Sequence, residues 1–210
     1  MLNLKYIFLT ALIATALSFT IESPVKQSST PAKKTIRWAV QKTSTIHIEG
    51  ATNINSFGCD VNNYYQPDTI YCSQEIISTK PVTLTGDLQI DISKFDCHNK
   101  MLTRDLRSTL KAREYPTLVI RFLSLERAPA INNTKDFLKG WVEIELAGNK
   151  RRFEVNYSFI VEANSLIQLN GTRSFSFSDF NLTPPKKFAG LVKVKDKLNV
   201  DFNLLLDPIK

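Results

Sequence analysis

The sequence predicts an all-β fold, an antiparallel barrel of eight strands that is closed at one end by one short amphipathic helix. Three observations favour this fold. Most of the chain after Thr35 alternates apolar and polar residues with a period of two, which is typical of strands with one buried face. A convincing helical period occurs in only one stretch. The strands follow one another almost without interruption, and antiparallel strands remove their exposed edges most completely by closing into a barrel.

The helix is predicted within the stretch from Phe95 to Phe122. Leu102, Leu106 and Leu110 recur every four residues and therefore share one helical face, with Met101 beside them. Asn99 is suited to cap the start. Pro116 is expected to stop the helix, because the residue before a proline is disfavoured in helical geometry.

Strands are predicted on both sides of this helix, and a tight hairpin is expected at Ala147-Gly148-Asn149. The closing pair is expected to turn at Lys195-Asp196-Lys197. The predicted strands lie around Ile46 and Ile48, and at Ile54 to Val61, Ile70 to Ile77, Gly86 to Phe95, Leu118 to Leu125, Leu138 to Leu146, Arg151 to Val161, Ser165 to Leu169, Ser174 to Phe180, Gly190 to Val194 and Leu198 to Leu206.

The length of 210 residues is that of one β domain preceded by a leader. Lys5 is followed by an apolar run from Tyr6 to Leu17 that is too short to span a bilayer, and small residues follow near Ala16 and Ser18. We therefore predict a signal peptide at 1–18, a disordered leader at 19–36 and a barrel domain at 37–210. The protein is expected to be exported, to a periplasm or out of the cell.

The composition indicates a large apolar interior and a basic surface. The chain has 13 Phe residues and a formal net charge of +7. Lys and Arg are scattered along strands and loops, which is typical of solvated outer faces and does not indicate nucleic-acid binding. Weak peripheral contact with an anionic membrane surface stays open.

Three cysteines are present, Cys59, Cys72 and Cys97. In an exported chain two of them are expected to pair, and the residues alone leave all three pairings open. Their spacing is not that of a zinc site, and the neighbouring Cys97 and His98 are interpreted as a loop pair rather than metal ligands.

No catalytic motif is apparent in the sequence. It lacks a nucleophile elbow, a phosphate-binding loop and a dinucleotide-binding fingerprint. His47 is interpreted as a surface residue. Asp179, between two phenylalanines at a strand end, is interpreted as a cap or turn acceptor rather than a catalytic group. We therefore do not predict an enzyme.

Three segments resemble the YceI-like family of small exported, lipocalin-like barrels that bind polyisoprenoid-type lipids. The first is Gly50 to Cys59, GATNINSFGC, which is similar to an early strand of the family. The second is Ile90 to Phe122, where an aliphatic strand leads into KMLTRDLRSTLKAREYPTLVIRF. The third is Asp179 to Leu206, which is similar to the closing strands of the family. Together they cover most of Ile46 to Leu206.

The resemblance implies a barrel that holds one long apolar lipid, isoprenoid-like or quinone-like, with no other cofactor. Burying methylene groups would supply the affinity. Arg104 and Asp105 would meet a polar head group. The implied lining is Phe57, Leu88, Ile90, Met101, Leu106, Leu110, Ile120, Phe122, Trp141, Phe159, Phe175 and Phe177. Each of these apolar residues also fits a plain core. Because Cys59 and Cys97 lie in matching segments and Cys72 does not, the resemblance favours a Cys59–Cys97 disulfide.

Two other functions remain to be weighed against lipid binding. A filled barrel without a ligand would serve as an interaction or stress-response module, and it predicts no connected apolar cavity. A hydrolase or isomerase would need a buried polar cluster, such as Asp179 with a basic partner, inside the barrel.

Overall fold

The computed structural model describes residues 33–62, 64, 66, 68–75, 81–130, 135–162, 165–187 and 191–209. The predicted signal peptide at 1–18 lies outside the described residues, and so do residues 19–32 of the predicted leader. Strand β1 begins at Lys33, inside the predicted leader. None of the helices in the described part of the chain has the length and apolar character needed to cross a membrane.

Twelve strands and one α-helix are assigned within the described residues. The helix α1 spans Lys100–Thr109, and 3-10 turns span Ile92–Lys94 and Phe177–Phe180. The strands are β1 Lys33–Val40, β2 Thr45–Thr52, β3 Ser56–Val61, β4 Thr69–Glu75, β5 Val82–Thr85, β6 Asp87–Asp91, β7 Thr117–Leu125, β8 Asp136–Leu146, β9 Asn149–Val161, β10 Ile167–Ser176, β11 Lys186–Lys187 and β12 Val192–Ile209.

The strands close into an antiparallel barrel of eight, which confirms the predicted fold class. The order around the barrel is β1, β4, β5, β7, β8, β9, β10 and β12, and β12 pairs with β1 to complete the circle. The hairpin of β2 and β3 pairs with the first part of β12, and β6 continues β5 along β7. Closure leaves few strand edges exposed.

Alternation along the strands places one face of each in a continuous apolar core. In β8 the buried side chains are Leu138, Val142 and Ile144, while the residues between them face outward. The same period in β9 buries Phe153, Val155, Tyr157 and Phe159. The alternating apolar residues of the strands therefore form the interior of the barrel.

The helix begins as predicted and ends earlier than predicted. The side-chain oxygen of Asn99 accepts hydrogen bonds from the backbone N–H groups of Met101 and Leu102. The helix ends at Thr109 rather than near Pro116, because Lys111 adopts a left-handed φ of 55°. The N–H of Ala112 donates to the carbonyl of Arg107, and that of Lys111 to the carbonyl of Ser108, which forms a Schellman cap.

The hairpin between β8 and β9 is confirmed. Ala147 and Gly148 both have positive φ, 49° and 76°, as a two-residue turn that matches the strand twist requires. The ring of Tyr115 lies against Gly148, where an added Cβ would meet it at 2.8 Å. A glycine is therefore needed there for two reasons.

One predicted turn and one predicted break between strands are wrong. Lys195-Asp196-Lys197 does not reverse the chain, because β12 runs through it as one strand from Val192 to Ile209. The irregularity is a register shift against β2 between Val194 and Leu198. The strands predicted at Ser165 to Leu169 and Ser174 to Phe180 are likewise one strand, β10, followed by a 3-10 turn.

Cys59 and Cys97 form a disulfide, which confirms the pairing that the family resemblance implied. The bridge ties β3 to the segment that leads into α1. Asp60 and Asp96, which follow Cys59 and precede Cys97, exchange two backbone hydrogen bonds of 2.7 and 2.9 Å beside it. Cys72 is a buried free thiol whose pKa is raised to about 11 by burial.

Candidate functional site

An apolar cavity lies inside the barrel, beneath α1. Its volume is about 90 Å³. Leu106 and Leu110, the two buried side chains of the helix region, reach into it from α1 and its C-cap. The lining is completed by Ile46, Ile48, Phe95, Leu118, Ile120, Val142, Ile144, Leu146, Val155, Arg173, Phe175, Ser176, Phe177, Phe180, Leu182, Leu198, Val200 and Phe202.

Arg173 is the one charged side chain among the described residues that line this cavity. Arg173 lies two residues after Gly171 in β10, on the same inward face as Leu169 and Gly171. The Nη1 atom donates a 2.8 Å hydrogen bond to the carbonyl of Glu154, and the guanidinium lies 5.5 Å from the ring centre of Phe153. The Nε atom is buried and has no hydrogen-bond partner among the described residues.

Two aromatic side chains in the barrel pack against glycines of the neighbouring strands. Phe202 lines the cavity and lies against Gly171, where an added Cβ would come within 2.0 Å of its ring. Tyr157 lies against Gly140, where an added Cβ would be 2.8 Å from the ring. The two ring centres are 5.9 Å apart. Glycine at these positions makes room for the two rings, of which Phe202 lines the cavity and Tyr157 packs against Phe202.

The core also contains two buried hydrogen-bond donors that have no partner among the described residues. The indole Nε1 of Trp38 (0% exposed) and the hydroxyl of Tyr157 (2% exposed) have no hydrogen-bond partner among the described residues. Burial raises the pKa of Tyr157, so its hydroxyl stays protonated. These two groups carry an uncompensated desolvation cost in this structure.

Five of the predicted lining residues meet in the cavity: Leu106, Leu110, Ile120, Phe175 and Phe177. Leu88, Ile90, Phe122 and Phe159 are buried in the core but do not line it. Phe57 is partly buried and lies across Gly50, where an added Cβ would meet its ring at 2.3 Å. The structure thus groups five of the twelve predicted apolar residues around one cavity.

The structure corrects the predicted interior position of Met101 and Trp141. Met101 is 48% exposed and Trp141 is 47% exposed. Trp141 lies between the inward-facing Gly140 and Val142, so strand alternation turns it outward. Met101, in the first turn of α1, lies away from the face that carries Leu106 and Leu110.

Arg104 and Asp105, the predicted head-group residues, lie in a polar groove along the outer side of α1 rather than in the apolar cavity. Sequence reasoning missed Arg173. The inward period of β10 was visible in Phe175, and counting back two residues would have placed Arg173 on the same face.

A second polar cluster lies beside the disulfide, outside the cavity. The imidazoles of His47 and His98 contact the two carboxylate oxygens of Asp60, at 2.6 and 2.7 Å. Burial of Asp60 favours its neutral form, but the two histidine hydrogen bonds outweigh burial and lower its pKa. The hydrogen bond to Asp60 raises the pKa of His98. Both histidines are largely exposed, so the cluster is a surface clasp between β2, β3 and the residues before α1.

Asp179 is a turn acceptor, as predicted. Its Oδ2 accepts a 2.8 Å hydrogen bond from the backbone N–H of Ser176 at the start of the second 3-10 turn. The position of the Asp179 carboxylate is therefore explained by its hydrogen bond within the turn.

The fold and cavity define an antiparallel barrel with an apolar interior, which is the lipocalin-like class. The chain belongs to the YceI-like domain family, which matches residues 27–206. This match confirms the resemblance drawn from the three sequence segments. No curated protein is significantly similar to the chain in sequence.

Solved structures with the same fold include two bacterial proteins. BcnA of Burkholderia cenocepacia is 15% identical, with a TM-score of 0.57, and the match covers 77% of this chain and 95% of that one. A polyisoprenoid binding domain from Saccharophagus degradans, implicated in plant cell wall breakdown, is 10% identical, with a TM-score of 0.57 and coverage of 82% and 98%. At these identities the likeness concerns the fold.

Proposed function

We propose that this protein is an exported, non-catalytic binding protein that holds the apolar chain of an isoprenoid-like or quinone-like lipid in its barrel. The observation that carries the proposal is the cavity under α1, whose wall is aliphatic and aromatic except at Arg173 and Ser176. Membership of the YceI-like family supports it, and so does the fold shared with a polyisoprenoid binding domain.

The size of the cavity requires that the barrel opens to accept a long chain. A volume of about 90 Å³ is smaller than an engineered cavity of about 150 Å³ that admits benzene. Extension inward is limited by Phe202 and Tyr157. Extension outward requires Leu106 and Leu110 to withdraw, since these two side chains cover the cavity from α1 and its C-cap.

The energetics of this opening favour a long ligand over a short one. Exposing two leucines costs about 3–6 kcal/mol. Each buried methylene group contributes about 0.8 kcal/mol, so about four to eight of them offset the opening. A chain of several isoprene units exceeds this number, whereas a small apolar molecule does not.

Non-catalytic binding is supported by the residues around the cavity. Among the described lining residues there is no carboxylate, histidine or thiol that could act as an acid, base or nucleophile. Asp179 is engaged as a turn acceptor.

Export is supported by the disulfide, because such bridges persist in oxidising compartments. The predicted signal peptide at 1–18 agrees with it. We further propose that cargo is exchanged at an anionic membrane surface through the outer side of α1, where Lys100, Arg104, Lys111 and Arg113 are exposed beside Met101. Stronger flotation with anionic than with neutral vesicles would support this contact, and equal flotation would contradict it.

The binding proposal is tested by filling the cavity. Val200 lines the cavity, and V200F should weaken isoprenoid uptake at least tenfold, measured by titration with a defined isoprenoid alcohol. The matched control is V119F, because Val119 faces outward between Gln89 and Glu145. Uptake that V200F leaves unchanged, in a variant with an intact fold, would contradict the proposed site.

One observation favours a second candidate, a ligand-free interaction module. The small cavity volume is what a nearly filled barrel would show. Under this alternative neither the wild type nor V119F takes up isoprenoid at any concentration at which the lipid stays dispersed.

A further inference from the structure

We infer that the outer face of the barrel carries a second binding site, a shallow groove that binds a neutral, extended oligosaccharide. The groove lies across β8, β9, β10, β12 and β2, on the outward face of these strands, whereas the apolar cavity lies on their inward face. The inference goes beyond the proposed lipid binding and does not depend on it.

The groove has the size of a ligand site and a mainly polar lining. Its volume is about 550 Å³, within the range of about 300–1,000 Å³ that is typical of ligand sites. Most of the lining consists of exposed or outward-facing side chains: Thr45, His47, Lys135, Phe137, Asn156, Ser158, Asn170, Thr172, Asp201 and Asn203. Tyr157, Gly171 and Phe202, which face inward on the same strands, complete it.

Strand register places the polar side chains in two rows across the sheet. The first row begins at Phe137 in β8 and continues through Ser158, Asn170, Asn203 and Thr45. The second row contains, in the same direction, Asn156, Thr172, Asp201 and His47. Because neighbouring strands lie about 4.8 Å apart, the first row, which crosses five strands, is about 19 Å long. This length suits an extended chain of several sugar rings.

The side chains of these rows have free hydrogen-bonding capacity. Amides and hydroxyls both donate and accept hydrogen bonds, and so do the hydroxyls of a sugar. Asn156 and Asn203 form no side-chain hydrogen bond within the described part of the chain. The two side-chain hydrogen bonds of Asn170, to Ser158 and from Gln168, are both 3.4 Å long and therefore weak. A sugar would find donors and acceptors along the whole groove.

The charges at the groove favour a neutral ligand. Among the described lining residues, Lys135 and Asp201 carry permanent charges of opposite sign, and His47 is engaged with Asp60. The neighbouring outer face is different, because Arg121 there contacts the carboxylates of Asp87, Glu143 and Glu145. A polyanion would find no cluster of cations among the described lining residues, and a second copy of the chain would find little apolar area.

Phe137 supplies an apolar surface at one end of the first row. Its side chain is 67% exposed, although it lies in a strand. The face of an aromatic ring attracts the C–H groups of a pyranose ring, while the polar neighbours bind its hydroxyls. The Nζ atom of Lys135 lies 5.1 Å from the centre of the Phe137 ring and adds a donor beside it. An exposed aromatic ring beside a row of amides suits both kinds of surface that a sugar presents.

The experiment is an NMR titration of the disulfide-bonded protein with two neutral β-1,4-linked chains, cellotetraose and chitotetraose, and with the anionic chain tetragalacturonate. The wild type should bind at least one neutral chain with a Kd of about 1 mM or tighter. It should bind tetragalacturonate more weakly, because the groove has no excess of positive charge.

Two pairs of variants locate the site. F137A should weaken binding of the neutral chain about threefold to tenfold, whereas W141A should not, because Trp141 is an exposed aromatic on the same face of β8 but outside the groove. N203A should weaken binding to a similar extent, about threefold to tenfold. Its control is N199A, which removes an amide from the same face of β12 outside the groove.

The outcomes are separate from those of the lipid proposal. F137A and N203A should leave isoprenoid uptake unchanged, since neither residue lines the cavity. The inference is overturned if the wild type binds neither neutral chain, if it binds tetragalacturonate as tightly, or if W141A weakens binding as much as F137A. Dimerisation of the wild type that F137A abolishes would show that this face joins two copies of the chain, and it would overturn the inference as well.

Discussion

Reducing the Cys59–Cys97 disulfide should lower the free energy of unfolding by about 4 kcal/mol. The bridge closes a loop with a sequence separation of 38. In the chain-entropy treatment, a loop of this length restricts the unfolded chain by about 4 kcal/mol near room temperature. The loop contains β4 to β6 and part of the barrel wall, so releasing it frees a large section of the unfolded chain.

The assay is guanidinium-induced unfolding of the oxidised protein and of the same protein held in excess thiol reductant. Every sulfur atom is retained in this comparison, so it isolates the covalent bond. The reduced chain should unfold at lower denaturant and with a larger m-value, because its unfolded state is less constrained and exposes more surface.

Cys72 provides the control for this experiment. Its thiol is buried, and its raised pKa keeps it protonated near neutral pH, so it should not exchange with the bridge. C72A should show the same difference between oxidised and reduced forms. A difference below about 1 kcal/mol would refute the loop argument, since the bridge would then restrain little of the unfolded chain.

Three further predictions follow from particular residues. K111G should raise the free energy of unfolding by up to about 1 kcal/mol, because glycine adopts the left-handed φ at this C-cap without steric cost; a loss in chemical denaturation would contradict this. The raised pKa of His98 contributes stability that is fully present below about pH 6.5 and is lost as pH rises through its folded-state value. Wild type should therefore lose more stability than H98Q above about pH 6.5, and parallel pH profiles would refute the contact with Asp60. Y157F should change thermal stability little or raise it, because it removes a hydroxyl without a partner; a loss above about 1.5 kcal/mol would show that this hydroxyl is hydrogen-bonded in solution.

Local signals in the sequence predicted the features that neighbouring residues decide. Asn99 caps α1 because a short polar side chain before an apolar helical period satisfies the first N–H groups. Gly148 forms the β8–β9 turn because the strand twist requires positive φ. These outcomes depend on a few adjacent residues, so the pattern was sufficient.

Features decided by distant contacts were not predictable in this way. Lys195-Asp196-Lys197 has the composition of a turn, but Asp196 accepts hydrogen bonds from the N–H and hydroxyl of Ser178, and β2 pairs with both flanks of the segment. The helix ends at a left-handed Lys111, a residue type that gives no stop signal.

The candidate site was predicted in part for the same reason. Leu106 and Leu110 were found because helical period selects the inner face of α1. Trp141 was predicted to face inward because it is aromatic, although the alternation of β8 places it outward. Arg173 was missed because a charged residue in a strand is normally assigned to the solvent-exposed face, and only the closed barrel shows that it lines the cavity. The cavity volume depends on how side chains such as Phe202 pack against residues that are distant in the sequence, and a local sequence pattern does not describe this packing.

The central claim, that the barrel holds an isoprenoid-type lipid, is tested most directly by native mass spectrometry of the disulfide-bonded protein purified from its own host, followed by extraction into organic solvent. The claim predicts one added mass that disappears on extraction and is recovered as an isoprenoid, and it predicts that the extracted protein regains that mass when the lipid is returned. A bare chain mass before extraction, together with no uptake when isoprenoids are offered, would contradict it and would show that the side chains beneath α1 are simply the core of a filled barrel.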